Sequence, residues 1–326
     1  MNFSIIIPVY NIAPYIRACL DSVCAQTFTN WEAICVDDGS TDGSGAILDE
    51  YFAKDSRFKV IHKENGGVGA ARNNGLDNAD GQLIMFLDGD DMLRNCALED
   101  IANSMKDSPK SNFIVFNDIK FKDGSSPTWS DDAEIECREE DLASSVPTCL
   151  ASVCVWGAAY RKEILKGLRF KDCVLGEDLV FFCEVLTRAN RCSFLNRAEY
   201  GNRMRQGSAS RSKESYRKIH DRIQYHEFMF KAIAASGKAF GGTFTHGRGN
   251  SWIEETVSLI LSWPDKKERE SLFLRWLESM RMAAVMPFFS MWQRFVARLV
   301  SATGSELAVR LLCVLPHKLK AVGFHR

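Results

Sequence analysis

The sequence predicts an α/β protein: a doubly wound, mainly parallel sheet flanked by helices, followed by a mostly helical C-terminal region. Three observations carry that prediction. Apolar segments of strand length alternate four times with segments of helical periodicity over the first ninety residues, the pattern of a parallel sheet wound by crossover helices. The joints between them are short. Two of the strand segments run straight into acids, at Asp37-Asp38 and at Asp88-Gly89-Asp90-Asp91, and open sheets of this kind bind ligands at the carboxyl ends of their strands.

Residues 3–9 form the first strand, with Pro8 close to its end, where a lost ladder donor is tolerated. Pro14 then suits the first turn of a helix whose apolar positions Ile16, Leu20, Val23 and Cys24 recur at helical spacing. A second strand, residues 31–36, leads into a Ser/Thr/Asp run that offers N-caps for a helix carrying Ile47, Leu48, Tyr51 and Phe52. The third strand, residues 58–62, precedes a Gly-rich segment that opens a helix ending near Gly75. Residues 83–87 are five apolar residues in a row, too few for a helix face and suited to a central strand covered on both sides. Further on come a helix with Leu98, Ile101 and Met105, strand segments at 113–116 and 119–121, and a polar surface excursion over 123–140. An apolar stretch around Trp156 follows, then a helix opening at Glu177 and a basic, flexible stretch from Arg203 to Ser210. From about residue 215 the pattern is helical.

Lys and Arg number 41 against 42 Asp and Glu, so nothing marks a nucleic-acid binder. The N-terminus has no basic region and Pro8 interrupts its apolar run, so it reads as a strand and not as a leader. No membrane-spanning helix is expected. The eleven cysteines are odd in number and scattered without C-x-x-C pairs, which fits reduced thiols in the cytosol and neither a disulfide framework nor a zinc site.

The chemistry is expected at the acids. If the extended geometry continues past residue 87, Asp88 and Asp90 face one side and Asp91 the other. Such carboxylates suit Mg2+ or Mn2+ held between protein and phosphates, and a cleft of four acids would repel a phosphorylated ligand without a cation. The competing reading of Asp88 to Asp91 is a polar turn. One carboxylate at Asp37-Asp38 is expected to be free for a ribose or base. The Gly-rich segment fails as a dinucleotide fingerprint, because it follows the third strand and Arg72 stands where a small residue is needed. Arg72 is then a donor toward a base or phosphate, or a surface arginine. Glu177 and Asp178 lie at a helix start, where the macrodipole favours an ionised carboxylate, and Asp178 is the candidate general base. Arg203 and Arg205 either neutralise a leaving diphosphate or decorate an edge strand.

With IIIPVYN (5–11), VDDGSTD (36–42), NGGVGAARN (65–73), DGDD (88–91) and GED (176–178) in this order, the chain resembles glycosyltransferase family 2 from its N-terminus to about residue 210. The resemblance implies the GT-A fold, Rossmann-like, a nucleotide-sugar donor, a divalent metal (Mn2+ or Mg2+) and inversion at the anomeric carbon. It implies that Pro8, Tyr10 and Asp38 line the nucleoside pocket with Arg72 beside it, that Asp88 meets the ribose or metal, and that Asp90 binds metal. It further implies Asp178 as base beside Glu177, Trp156 facing the acceptor, and Arg205 with Ser208 over the diphosphate. A UDP-sugar donor, a glycan or lipid-linked acceptor and a role in bacterial surface polysaccharide follow from the same likeness.

The corresponding domain expectation is a catalytic domain over 1–214, with a nucleotide-sugar half to about 118 and an acceptor half beyond it, and a helical region over 215–326. There, Met286 to Val300 and Leu307 to Leu315 mix large apolar residues with Arg294, Arg298, Lys318 and Lys320. That composition fits a helix lying in a membrane interface, hence a protein of the cytoplasm or the cytoplasmic face of the inner membrane; a helix packed on the catalytic domain is the other reading. Whether the chain forms a homodimer is left open. The contrasting functional class is a catalytically silent nucleotide-sugar-binding partner of a synthase complex. Retention of Asp88, Asp90 and Asp178 argues for the enzyme, since a silent copy needs no base.

Overall fold

The computed structural model describes residues 1–130, 135–142, 145, 154–171, 176–205, 215–236 and short pieces between 256 and 276. The first four strands appear where the apolar segments lie: β1 (Phe3–Val9), β2 (Trp31–Asp37), β3 (Phe58–His62) and β4 (Leu83–Phe86). They pair in parallel in the order β3-β2-β1-β4. Helices α1 (Ala13–Cys24), α2 (Ser44–Lys54) and α3 (Val68–Asp77) make the crossovers. α3 runs two residues past the expected end at Gly75.

Beyond β4 the expectation of a mainly parallel sheet is corrected. Among the described residues nine strands run in the order β3-β2-β1-β4-β8-β6-β9-β5, with β7 on β9. Here β5 is Met92–Leu93, β6 Phe113–Lys122, β7 Cys137–Asp141, β8 Ala158–Arg161 and β9 Arg191–Met204. Only β6 and β9 pair in parallel in this half; β8 lies antiparallel to both β4 and β6, and β5 and β7 antiparallel to β9. The sheet is mixed. The two strand segments expected at 113–116 and 119–121 are one strand, whose register against β9 shifts at Phe116 to Asp118; that irregularity is why the apolar pattern breaks there. Part of the expected surface excursion is the edge strand β7, and Arg203 and Met204 close β9 instead of belonging to a loose stretch.

The remaining described helices are α4 (Ala97–Asp107), α5 (Lys162–Leu165), α6 (Glu177–Arg188) and α7 (Tyr216–Ser236). One face of the sheet buries Phe3, Ile5, Ile7, Leu83 and Met85 with Ile16 and Leu20 of α1 and Leu98, Ile101 and Met105 of α4. On the other, Phe86 meets Phe170 and Phe181 edge to face at 5.3 and 5.8 Å, and Phe170 stacks on Phe181. Chain contacts define two compact units, one made chiefly of residues 1–145, 152–172 and 177–212, the other chiefly of 213–326. In the second, Ile219, Ile223, Leu272 and Trp276 are buried. Among the described residues no helix is long and apolar enough to cross a membrane. The C-terminal segments read as interfacial helices lie outside the described residues.

α3 lies against β1 because residue 75 has no side chain. A Cβ there would stand 2.3 Å from Cγ2 of the fully buried Ile6. Gly75→Ala should therefore destabilise the protein by about 1–3 kcal/mol through overpacking, in spite of a helix-propensity gain of about 1 kcal/mol. The urea midpoint measures it, and a midpoint at or above that of the parent chain would contradict this account of the contact.

Candidate active site

The parallel register brings the ends of β1, β2 and β4 to one edge: Val9 pairs with Asp37, Ile6 with Phe86, and the Asp38 N–H reaches the Val9 carbonyl at 2.8 Å. At this edge the chain after β1 and the chain after β2 lock together. Asn11 takes a left-handed conformation (φ 50°) that Asn tolerates, and its side chain accepts the Thr41 N–H at 2.8 Å. The N-cap of α2 is Gly43, while the preceding Asp42 accepts the N–H of Ser44 and that of Ala13 at the start of α1. One carboxylate thus joins two positive helix ends. Tyr10, 51% exposed, stands open beside this junction, and Pro8 is half-buried.

Neither Asp37 nor Asp38 is the free carboxylate expected. Asp37 is buried and accepts the Ser40 N–H and His62 at 2.9 Å each. Asp38 is buried and accepts the N–H groups of Gly66 and Gly67 at 3.0 and 2.8 Å and the Lys63 ammonium. Its work within the chain is to hold the Gly-rich loop at the edge of the sheet. The two residues differ from a plain helix cap because Asp37 also binds His62 at the end of β3 and the partners of Asp38 come from beyond that strand.

The acid segment is a tight turn. The Asp91 N–H bonds to the Asp88 carbonyl at 2.9 Å, so the extended geometry assumed through residue 90 is corrected, and β4 ends at Phe86. Gly89 makes the turn fit: a Cβ there would lie 2.5 Å from Ile12 and 3.2 Å from the Pro8 carbonyl. Asp90 nonetheless remains close enough for its charge to make ionisation of Asp88 costlier. Asp91 points away, as expected, into the protein. It accepts the Tyr200 hydroxyl and the Arg203 N–H at 2.7 Å each, and burial, then the charges of Asp88 and Asp90, push its acid up to about 8.

Arg72 is not at the surface. Only 3% exposed, it donates to Asp88 at 2.9 Å, Glu177 at 2.9 Å and Asp178 at 3.4 Å. Small residues let it sink there: a Cβ on Gly69 would already touch Phe170 and the Lys171 carbonyl at 3.3 Å. Asn73 then ties the Phe170 backbone on both sides, donating to its carbonyl and accepting its N–H at 2.9 Å each. α6 carries Glu177 and Asp178 in its first turn. Burial, then the charge of Asp178, raise the Glu177 acid well above the carboxylate range. Burial, the largest single influence, works on Asp178 in the same direction, but the Arg72 guanidinium together with hydrogen bonds from Glu177 and the backbone holds that carboxyl below its ordinary value. The pair is thus divided, the Glu177 acid pushed up and the Asp178 acid held down, as expected of two acids sharing one site.

β9 closes the far side. Arg203 Nε donates to the Asp90 carbonyl at 2.7 Å, and Arg205 Nε to the Asp90 carboxylate at 2.5 Å. Tyr200, fully buried, donates to Asp91 and accepts the Asp88 N–H at 3.2 Å. Trp156, in a 3-10 turn (Val155–Gly157), stacks on Tyr200 with ring centroids 4.5 Å apart. Trp156, the acid turn, Arg205, Arg72 and Asp178 thereby converge. Ser208 lies outside the described residues. Sequence reasoning missed Tyr200, Asn73 and Lys63 as parts of this site; Asn73 closes the motif NGGVGAARN but its role shows only in its partners, and no local motif surrounds Tyr200 or Lys63.

The carboxylates of Asp88 and Asp90 are 29% and 20% exposed, and each binds a guanidinium through one oxygen, Oδ1 and Oδ2 respectively. Even beside Arg72, burial with Asp90 and Asp178 leaves the Asp88 acid above its usual value. The turn leaves a second oxygen of each of these two carboxylates as a hard donor, so its residues fit a divalent cation.

Comparison with known proteins agrees with this geometry. Residues 4–169, half of the chain, match the domain described as glycosyl transferase family 2. The glycosyltransferase GlyA of Streptococcus pneumoniae is 34% identical over 221 residues, 64% of this chain and 32% of its own. The cholesterol galactosyltransferase of Borreliella burgdorferi is 32% identical over 221 residues, 64% of this chain and 62% of its own. This chain spans about a third to a half of GlyA and of the putative glycosyltransferase EpsH of Bacillus subtilis. In fold it is similar to S. aureus TarS 1-349 in complex with UDP-GlcNAc, at TM-score 0.76 and 22% identity over 100% of this chain and 93% of that one. The sheet and helices are those of the GT-A glycosyltransferases. By its matched domain and by the ordered acids that this domain carries, the chain belongs to glycosyl transferase family 2.

Proposed function

We propose that this chain transfers a sugar from a nucleotide-sugar donor, a UDP-sugar, to a hydroxyl of a glycan or lipid-linked acceptor in cell-surface polysaccharide synthesis, with inversion and with divalent metal. The observation that carries the reading is the gathering of Asp88 and Asp178 on the buried Arg72, with Asp90 of the same acid turn held by Arg205. Two fold neighbours support the donor class: TarS is described with UDP-GlcNAc and with UDP, and a mannosyltransferase from Pyrobaculum calidifontis (TM-score 0.52, 18% identity) with GDP-Man and Mn2+. The teichoic acid protein GgaB of Bacillus subtilis, 30% identical over 214 residues, supports the polysaccharide setting.

In this reading the exposed Tyr10 ring stacks on the base, with Pro8 beside it, while Asp38 shapes the pocket by holding the Gly-rich loop. Asp88 and Asp90 would hold Mn2+ or Mg2+, which would supply neutralisation of the diphosphate. Asp178 removes the proton from the acceptor hydroxyl, whose oxygen forms a bond to the anomeric carbon as the bond to the diphosphate oxygen breaks on the opposite face. Arg205, poised at Asp90, takes up the negative charge of the departing group, a stabilisation that operates most strongly in a dry cleft. The Trp156 ring, backed by Tyr200, offers the acceptor a flat apolar surface. Glu177, protonated, orients Asp178 without competing for the hydroxyl proton.

Asp178→Asn should lower kcat about 10²–10⁴-fold while UDP-sugar affinity stays near that of the parent chain; undiminished transfer in this variant would remove Asp178 from the base role, and a parent chain that binds donor but never transfers would favour the silent-partner reading. UDP at about a hundred times its Kd should stabilise the protein by about 2.7 kcal/mol when Mn2+ is present, and Asp90→Asn should abolish the Mn2+-dependent part of that shift in a thermal melt. Equal Mn2+ dependence in both chains would exclude Asp90 as a ligand. Arg72→Met, which leaves three acids facing each other in a buried site, should cost about 3–5 kcal/mol in a denaturant titration; a loss below 1 kcal/mol would show that those acids do not depend on it.

A further inference from the structure

On the other side of Tyr200 lies a second group of ligating side chains that the transfer chemistry does not use. Cys96 precedes α4, Asp100 sits in the first turn of that helix, and Glu199 is carried by β9. One ligand atom from each lies within 4.8 Å of the other two. Glu199 is 0% exposed, and neither of its carboxylate oxygens has a hydrogen-bond partner. A fully buried carboxylate without a donor is costly, and the group it faces, Asp100, is another acceptor. Burial, then the charge of Asp100, push the Glu199 acid up to about 7. The cations that face the group are Arg197 and Arg94; Arg197 binds one oxygen of Asp100, Oδ2, at 3.0 Å, as a partner that orients a metal ligand does.

We propose that Cys96, Asp100 and Glu199 form a structural site for a borderline divalent cation of the Zn2+ type, separate from the acid turn. One thiolate and two carboxylates match the ligand set of such an ion, with bonds of about 2.0–2.3 Å, and small side-chain rotations bring the three atoms onto one centre. A Mg2+-type ion, which prefers oxygen alone, is disfavoured by the sulfur. The cation pins β9 to the start of α4. Its neighbour in sequence, Tyr200, together with Arg203 and Arg205, holds the acid turn, so the site braces the wall of the candidate active site from behind.

The test uses the full chain, reduced and stripped of metal with a chelator, and titrates it with Co2+. A thiolate-to-cobalt charge-transfer band should saturate at one equivalent, be displaced by Zn2+, vanish in Cys96→Ser and persist in Asp90→Asn, the last separating this site from the proposed donor metal. Glu199→Gln should weaken Zn2+ binding by about tenfold or more, and Zn2+ should raise the melting temperature of the parent chain but not that of Cys96→Ser. Absence of the band in the parent chain, or its survival in Cys96→Ser, overturns the proposal. So does a melting temperature insensitive to Zn2+ that falls from pH 6 to 8 in the parent chain and not in Glu199→Gln, because that pair of results means that Asp100 and Glu199 share only a proton.

Discussion

The site depends on one buried cation. Arg72 comes from the helix after β3, Asp88 from the end of β4, and Glu177 with Asp178 from the start of α6, and their charges meet on a guanidinium that is 3% exposed. Removing three carboxylates and one arginine from water is repaid only if the geometry is held. Asn73 and the Phe86, Phe170 and Phe181 cluster hold it, fixing the chain that leads toward α6 against α3 and the sheet. With one positive charge among three acids, not all can ionise. That shortage, with burial, pushes the Glu177 acid up, and so too the Asp88 acid of the turn.

β9 is the second constraint. Its last residues and the one that follows grip the turn through backbone and side chain alike: Tyr200 and the Arg203 N–H on Asp91, and the guanidiniums of Arg203 and of Arg205, just past the strand, on Asp90. Asp91 is thereby a structural acid that fixes the turn, freeing Asp88 and Asp90 for the cleft. Stacking of Trp156 on Tyr200 extends the same support to the acceptor side. A mixed sheet is what allows this, because β9 runs parallel to β6 and delivers its C-terminal end to the edge where β1, β2 and β4 finish.

Much of the fold was legible from periodicity. Strands β1 to β4 and helices α1 to α4 lie where apolar runs and helical spacing put them, since each buries a face against a regular neighbour. The second half of the sheet was not legible, for physical reasons. β9 pairs through a register shift that scrambles alternation, and β7 is a polar edge strand, CREED, with little apolar signal. The turn at Gly89 hid behind a run of acids that continues the strand just as readily on paper, and only the approach of Ile12 and the Pro8 carbonyl selects it.

The sequence by itself determined the family, the parallel half of the sheet and the acids that carry chemistry, because these reside in short motifs whose spacing sets local geometry. Tertiary structure alone decided how those acids are divided: Asp38 to the Gly-rich loop, Asp91 to Tyr200, Asp88 and Asp178 to Arg72, Asp90 to Arg205. Which carboxylate is free, protonated or bound depends on burial and on partners more than a hundred residues away, and charge is shared through space, not along the chain.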